Sequence, residues 1–273
     1  MKTIIASTDF SNEANKAVEY AANVALQLKA KLIIFHNITV EPVWSEYPLS
    51  QEVYDMEIDT SKELLSALEL EITKNTSGKI PVDTCFKVGI VNSELELLCE
   101  KVKPFAVFIA AHMTGSLERF VFGSHAIAIA KYNPFPVVII PVNPVTFNGF
   151  RKVALAIDLE NPGDISWEHL RSWLKSFSPK LDVVYISNEK KSGADSLAGS
   201  VTAEQQLGCF QPEFHFINND KVESGIEEYV TNNHPDLLII HPKKHGWFHK
   251  SESNSFILHP PVPVMTLSSV YED

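Results

Sequence analysis

The feature that most constrains the chain is a series of short, continuous apolar runs separated by segments of helical period, and the series occurs twice. In the first half the runs are "TIIAST", "KLIIFHN", "VDTCFKV", "FAVFIA" and "PVVIIPV"; in the second they are "KVALAID", "LDVVYIS", "EFHFIN", "DLLII" and "VPVMTL". Most are unbroken rather than alternating, as strands buried on both faces are, and strands alternating with helices require parallel crossovers. Between the first two runs, Ala14, Ala17, Val18, Ala21, Val24, Ala25 and Leu28 fall on one helical face. In the second half Trp167, Leu170, Trp173, Leu174 and Phe177 do the same.

The halves correspond at particular residues. Thr8-Asp9 ends the first strand of one half and Ile157-Asp158 that of the other. Lys103-Pro104 and His234-Pro235 each precede the fourth strand. Pro136-Val137-Val138 and Pro263-Val264-Met265 each open the fifth. Pro, Asn and Gly cluster in "NPVTFNGF", residues 143–150, which marks the boundary between a first domain, 1–143, and a second, 150–273.

With 273 residues, each half is long enough to bury its own core. A net charge of -11 disfavours binding to nucleic-acid backbones and to anionic membrane surfaces. No apolar run approaches the ~18 or more residues of a membrane span, and "TIIAST" is too short for a signal peptide. Cys85, Cys99 and Cys209 form no CxxC pair, which fits a reducing compartment. The expectation is a cytoplasmic protein with neither nucleic acid nor membrane as a partner.

The segment "AAHMTGSLERFVFGS", residues 110–124, runs from the fourth strand into a helix and has the placing of a phosphate-binding loop. Gly123 and Ser124 are expected to begin that helix, where free N–H groups and a hydroxyl attract anions. Asp9, at the carboxyl end of the first strand, lies where doubly wound sheets bind ligands. It also reads as a turn or cap residue ahead of Ser11. His241, His245 and His249 recur every four residues, but Pro242 and Gly246 argue against the helix that would align them on one metal.

"IIASTDFSNEANKAVEYAANVA" resembles the first strand and helix of the universal stress protein family. "FIAAHMTGSLERFVFGSHAIAIAKYNPFPVVII" is similar to its fourth and fifth strands with their loop. The resemblance covers both halves and is weaker in the second, so it implies a tandem member. It implies in each half a five-stranded parallel sheet of order 3-2-1-4-5, doubly wound, of the adenine-nucleotide alpha-hydrolase-like type. It further implies a stress-response regulatory or ligand-binding role, and pairing of the two halves near their fifth strands; a homodimer is the other arrangement considered.

ATP-binding members carry Gly-x2-Gly-x9-Gly-Ser/Thr. Laid on this chain, the pattern keeps Gly123 and Ser124 and finds Ala110 and Met113 at the other glycines. A Cβ there opposes the left-handed conformation and close phosphate approach that glycine allows. His112 holds a position where the family often has histidine; Asp9 and Asn37 match positions that hold the adenosine part. In the second half the corresponding loop is four residues shorter, with Lys250 and Ser251 in place of Gly123 and Ser124. The reading is a non-catalytic protein with weak or absent ATP binding, the possible ligands being ATP or a small anion in the first domain. The alternatives are a working ATP site in the first domain alone, and an enzyme of a related nucleotide-handling class. For the last there is no SGGxD loop, GxSxG elbow or Walker lysine.

Overall fold

The structure is a computed structural model, and it describes residues 1–38, 51–111, 119–159, 165–187, 194–242 and 252–267. The chain forms two compact units, Met1–Ala110 and Ala111–Asp273.

The first unit begins with β1 (Thr3–Ser7), α1 (Asn12–Leu28) and β2 (Lys31–Ile38). Ser11 caps α1, its Oγ accepting from the Ala14 N–H at 3.1 Å. The alanine face of α1 is buried, small side chains letting the helix approach β1 and β4 closely. Lys29 ends the helix in the left-handed region at φ 51°. Then follow α2 (Gln51–Asn75), β3 (Val82–Val88), α3 (Val91–Val102) and β4 (Ala106–Ala110). The four strands are parallel in the order β3-β2-β1-β4. The order reverses between β1 and β4, the switch point of a doubly wound sheet. β4 is buried throughout, whereas β3 at the other end of the order is half exposed.

The second unit contains α4 (Arg119–Tyr132), β5 (Val137–Ile140), β6 (Lys152–Ala156), α5 (Trp167–Phe177), β7 (Lys180–Ser187) and α6 (Ala194–Leu207). It continues with β8 (Glu213–Asn218), α7 (Val222–Asn233), β9 (Leu237–Ile240), α8 (Glu252–Leu258) and β10 (Val264–Thr266). Strands β8-β7-β6-β9-β10 are parallel and realise the full 3-2-1-4-5 order expected for the second half. Around α5, Trp173 lies 4.8 Å from the Phe150 ring and 4.4 Å from Phe177, as the periodicity required.

The second unit has one strand more than that repeat. β5, the fifth strand of the first half, pairs antiparallel with β10, with Ile139 opposite Val264, Val138 opposite Met265 and Val137 opposite Thr266. The second unit therefore carries six paired strands, five parallel and one antiparallel. The physical reason is the edge: two apolar strands with unpaired backbone groups satisfy one another. This is the fifth-strand contact expected of the two halves. It also places β5 in the second compact unit, so compactness divides the chain after Ala110 while the sequence repeat turns over at 143–150.

Candidate functional site

Asp9, Asn37 and Ala110 share the carboxyl edge of the first unit's sheet, at adjacent strands β1, β2 and β4. Each has a local reason to be there. After β1 the backbone N–H of Thr8 still bonds Phe35 of β2, at 2.9 Å. The chain then turns through Phe10 at φ 65°, a left-handed non-glycine. Two side chains hold that turn: Thr8 Oγ1 accepts the Phe10 N–H, and Asp9 Oδ1 accepts the Ser11 N–H, both at 2.9 Å. Asp9 thus serves as the turn residue that leads into the α1 cap. The Thr8 hydroxyl in turn donates to Asn15 Oδ1 at 3.1 Å.

Asn37 donates from Nδ2 to the Gly89 carbonyl at 2.9 Å, tying the end of β2 to the turn after β3. Gly89 is at φ 153°, and its own N–H returns to Ile38. Ala110 is buried at the end of β4. Its methyl stands where the ATP-binding pattern has glycine.

One residue at this edge escaped the sequence reading. His36 is buried, with Nδ1 2.8 Å from the Thr8 carbonyl, so Nδ1 carries the hydrogen. The Phe10 ring lies 4.2 Å from the imidazole and Phe86 6.1 Å from it. Burial lowers the His36 pKa; the Thr8 carbonyl and the charges of Asp9 and Glu57 oppose the shift. The available signal was a histidine inside the apolar run "KLIIFHN".

Gly123 and Ser124 lie inside α4, not at its beginning as expected. Arg119 to Phe122 are already helical, with no proline or cap residue among them to delay the helix. The N–H at position 123 therefore falls in the interior ladder, bonded four residues back, and the anion site expected at a helix start has lost its basis at these two residues. His112 and Met113 lie outside the described residues, as do His245, His249, Lys250 and Ser251.

In the second half the register confirms the match of Thr8-Asp9 with Ile157-Asp158. The Ile157 N–H bonds Val184 of β7 as the Thr8 N–H bonds Phe35 of β2. Asp158 is buried. His241 follows β9 directly and takes the place that Ala110 has in β4. It too is buried, with Nδ1 2.5 Å from the Leu267 carbonyl. A bulky ring fills the position of the first loop glycine.

A second polar centre sits at the other end of the second unit's sheet. Asp182 of β7 is wholly buried and accepts the Tyr229 hydroxyl at 2.5 Å, with Lys152 Nζ at 3.2 Å from the same Oδ2. Sequence reading passed over it, although a carboxylate inside "LDVVYIS" was a visible departure from an apolar run.

None of the curated proteins matches the chain. Among solved structures, it is similar to a universal stress protein from Archaeoglobus fulgidus DSM 4304. The identity is 17%, the TM-score 0.74, and the match covers 99% of this chain and 97% of that one. A functionally unknown protein from Pseudomonas aeruginosa PAO1 is similar at 10% identity and TM-score 0.54, over 98% of this chain and 93% of that one. At these identities the likeness is one of fold. The model of the universal stress protein family matches residues 1–141, which is more than half of the chain, and the chain belongs to that family.

Proposed function

We propose that the protein is a non-catalytic, tandem universal stress protein, a cytoplasmic regulator of the stress response that acts by binding and holds ATP weakly or not at all. The observation that carries this reading is how the carboxyl edge of the first unit is engaged with itself. Asp9 holds its own turn and the Asn37 amide holds the turn at Gly89. Ala110 adds a buried methyl at a glycine position. Losing several phosphate hydrogen bonds, each worth ~1.5–3 kcal/mol to a charged group, moves a micromolar ligand into the millimolar range.

The absence of catalysis is supported by where the hydrogen bonds go. His36 engages a backbone carbonyl, and the Thr8 hydroxyl donates to an amide oxygen. Neither pairing activates a nucleophile, which needs a base against the hydroxyl itself. The second reading, a working ATP site in the first half alone, draws on Asn37 Oδ1, a buried acceptor that has no hydrogen-bond partner among the described residues.

Calorimetric titration with ATP separates the two. The wild type is expected to bind in the millimolar range or not at all, and Ala110→Gly plus Met113→Gly to bind more tightly. Micromolar binding by the wild type, or adenine absorbance released when protein purified without nucleotide is denatured, establishes the second reading instead.

A further inference from the structure

The amino ends of β6, β7 and β8 bring together charges that the family's ligand edge does not use. Asp182 and Glu213 face each other across β7 and β8 in register, and His215 lies two residues along β8 on the same face as Glu213. The three offer ligand atoms that all lie within 4.8 Å of one another. His215 Nε2 is 3.4 Å from Asp182 Oδ2 and 3.8 Å from Glu213 Oε1. With Zn–N and Zn–O bonds of ~2.0–2.2 Å, neighbouring ligands of a tetrahedral zinc stand roughly 3.3 Å apart. The 3.4 Å separation is close to that edge and the 3.8 Å one is longer, within the reach of a side-chain adjustment.

Independent of the clustering, two atoms here want a partner. Asp182 is wholly buried, yet its Oδ1 has no hydrogen bond among the described residues, and neither does His215 Nε2. Buried polar atoms are ordinarily satisfied. Lys180 Nζ stands 3.9 Å from Oδ1, too far to donate, and is held instead by Glu213 at 2.7 Å. Lys152 is closer but sits on Oδ2, where it also donates to the carbonyl and side-chain oxygens of Asn233. The Lys180 side chain is 59% exposed, so it swings into water at little cost. An ion taking its place leaves the local charge no less compensated.

We propose that Asp182, Glu213 and His215 form a binding site for a divalent transition-metal ion of the zinc class. His215 supplies Nε2, each carboxylate supplies one oxygen, and the ion displaces Lys180. An imidazole in the set selects zinc-like ions over magnesium and calcium, which prefer all-oxygen sites. The site is independent of the nucleotide question, which concerns residues of the first unit.

The test uses the full chain, stripped with EDTA, titrated with zinc chloride by calorimetry and followed by thermal shift. The expected result is a zinc site that raises the melting temperature, with no response to magnesium chloride. His215→Ala and Glu213→Gln each weaken it by at least about tenfold, a scale on which metal sites respond even to loss of supporting residues. Lys180→Met removes the competitor and tightens zinc by about fivefold, the size of one exposed ion pair; a purely structural ion-pair cluster gives no such gain. His245→Ala plus His249→Ala leaves the site intact. The proposal is overturned if zinc does not bind, if binding survives His215→Ala, or if it disappears in the His245/His249 double variant. Failure of Lys180→Met to tighten zinc overturns the displacement of Lys180.

Discussion

Gly225 of α7 lies directly against Ile186 of β7: a Cβ at position 225 would stand 2.8 Å from Ile186 Cγ2 and 2.9 Å from its Cδ1. Ile186 is buried and β-branched, so it has few rotamers into which to retreat. Helix propensity alone favours Gly→Ala by ~1 kcal/mol, while overpacking a core costs ~1–3 kcal/mol. Gly225→Ala is therefore expected to destabilise the protein by up to about 2 kcal/mol in urea unfolding. Combined with Ile186→Ala, the loss should be smaller than the sum of the two single losses. An additive cycle would show that the helix simply shifts outward.

The Tyr229–Asp182 bond gives the second prediction. Tyr229→Phe removes a hydrogen bond to a buried carboxylate, at a cost of about 1.5–3 kcal/mol. Asp182→Ala leaves Lys152 and the hydroxyl without their common acceptor and should cost about 3–5 kcal/mol. Burial first, and then the hydrogen bond and charge of Asp182, push the Tyr229 pKa far up. The unfolded chain ionises this phenol near pH 10 and the folded one does not, so its contribution is complete below about pH 10 and is lost as pH rises beyond it. Absorbance at alkaline pH should show one tyrosine that ionises only with unfolding, and Tyr229→Phe should remove that step.

How far these centres could be read in advance depended on the range of the interaction behind them. Strand runs and helical faces are local, and they were legible. So was the correspondence of Lys103-Pro104 with His234-Pro235 ahead of the fourth strands; in the structure both Lys103 and His234 are left-handed helix ends, at φ 46° and 47°, with N–H groups reaching back to Cys99 and Val230. A proline next in sequence biases its predecessor away from helix, which is a one-residue effect. The pairing of β5 with β10 joins residues more than a hundred positions apart. Apolar edges revealed that both strands needed cover, and the family resemblance suggested that they would cover each other. The start of α4 misled because Gly123-Ser124 looks like a cap, and nothing local shows that the helix already includes Arg119. The turn role of Asp9 was legible beside its ligand role because Ser11 is adjacent. The Asp182 centre depends on three strands and a helix meeting, and only the oddity of a charge in an apolar run announced it.

Ser11 permits a graded test of the turn after β1. Ser11→Ala removes the acceptor for the Ala14 N–H and should cost about 0.5–2 kcal/mol. Asp9→Asn keeps an oxygen for the Ser11 N–H and should cost less than Asp9→Ala. If Asp9 also holds a ligand in the cell, both Asp9 variants lose it while Ser11→Ala retains it, and adenine content after purification reads the difference. Equal losses of stability in Asp9→Asn and Asp9→Ala would deny the turn role.

His36 sets the response to mild acid. Its folded pKa lies below the ordinary value, chiefly because burial penalises the charged ring. The unfolded chain takes up a proton near pH 6.5 while the folded one resists it. The sign follows: the contribution of His36 is fully present above about pH 6.5 and declines as pH falls from there toward the folded pKa. His169 is shifted in the same direction, by burial with Glu168 opposing, and adds to the same slope. The Thr8 carbonyl fixes His36 with hydrogen on Nδ1, so His36→Asn, which can present an amide donor, is the variant to compare. Urea unfolding at intervals between pH 7.5 and pH 5 is expected to show stability falling with pH in the wild type and a shallower slope in His36→Asn. An identical slope would mean that His36 takes up its proton in the folded state as readily as in the unfolded one, and that the stack with Phe10 opens to let it.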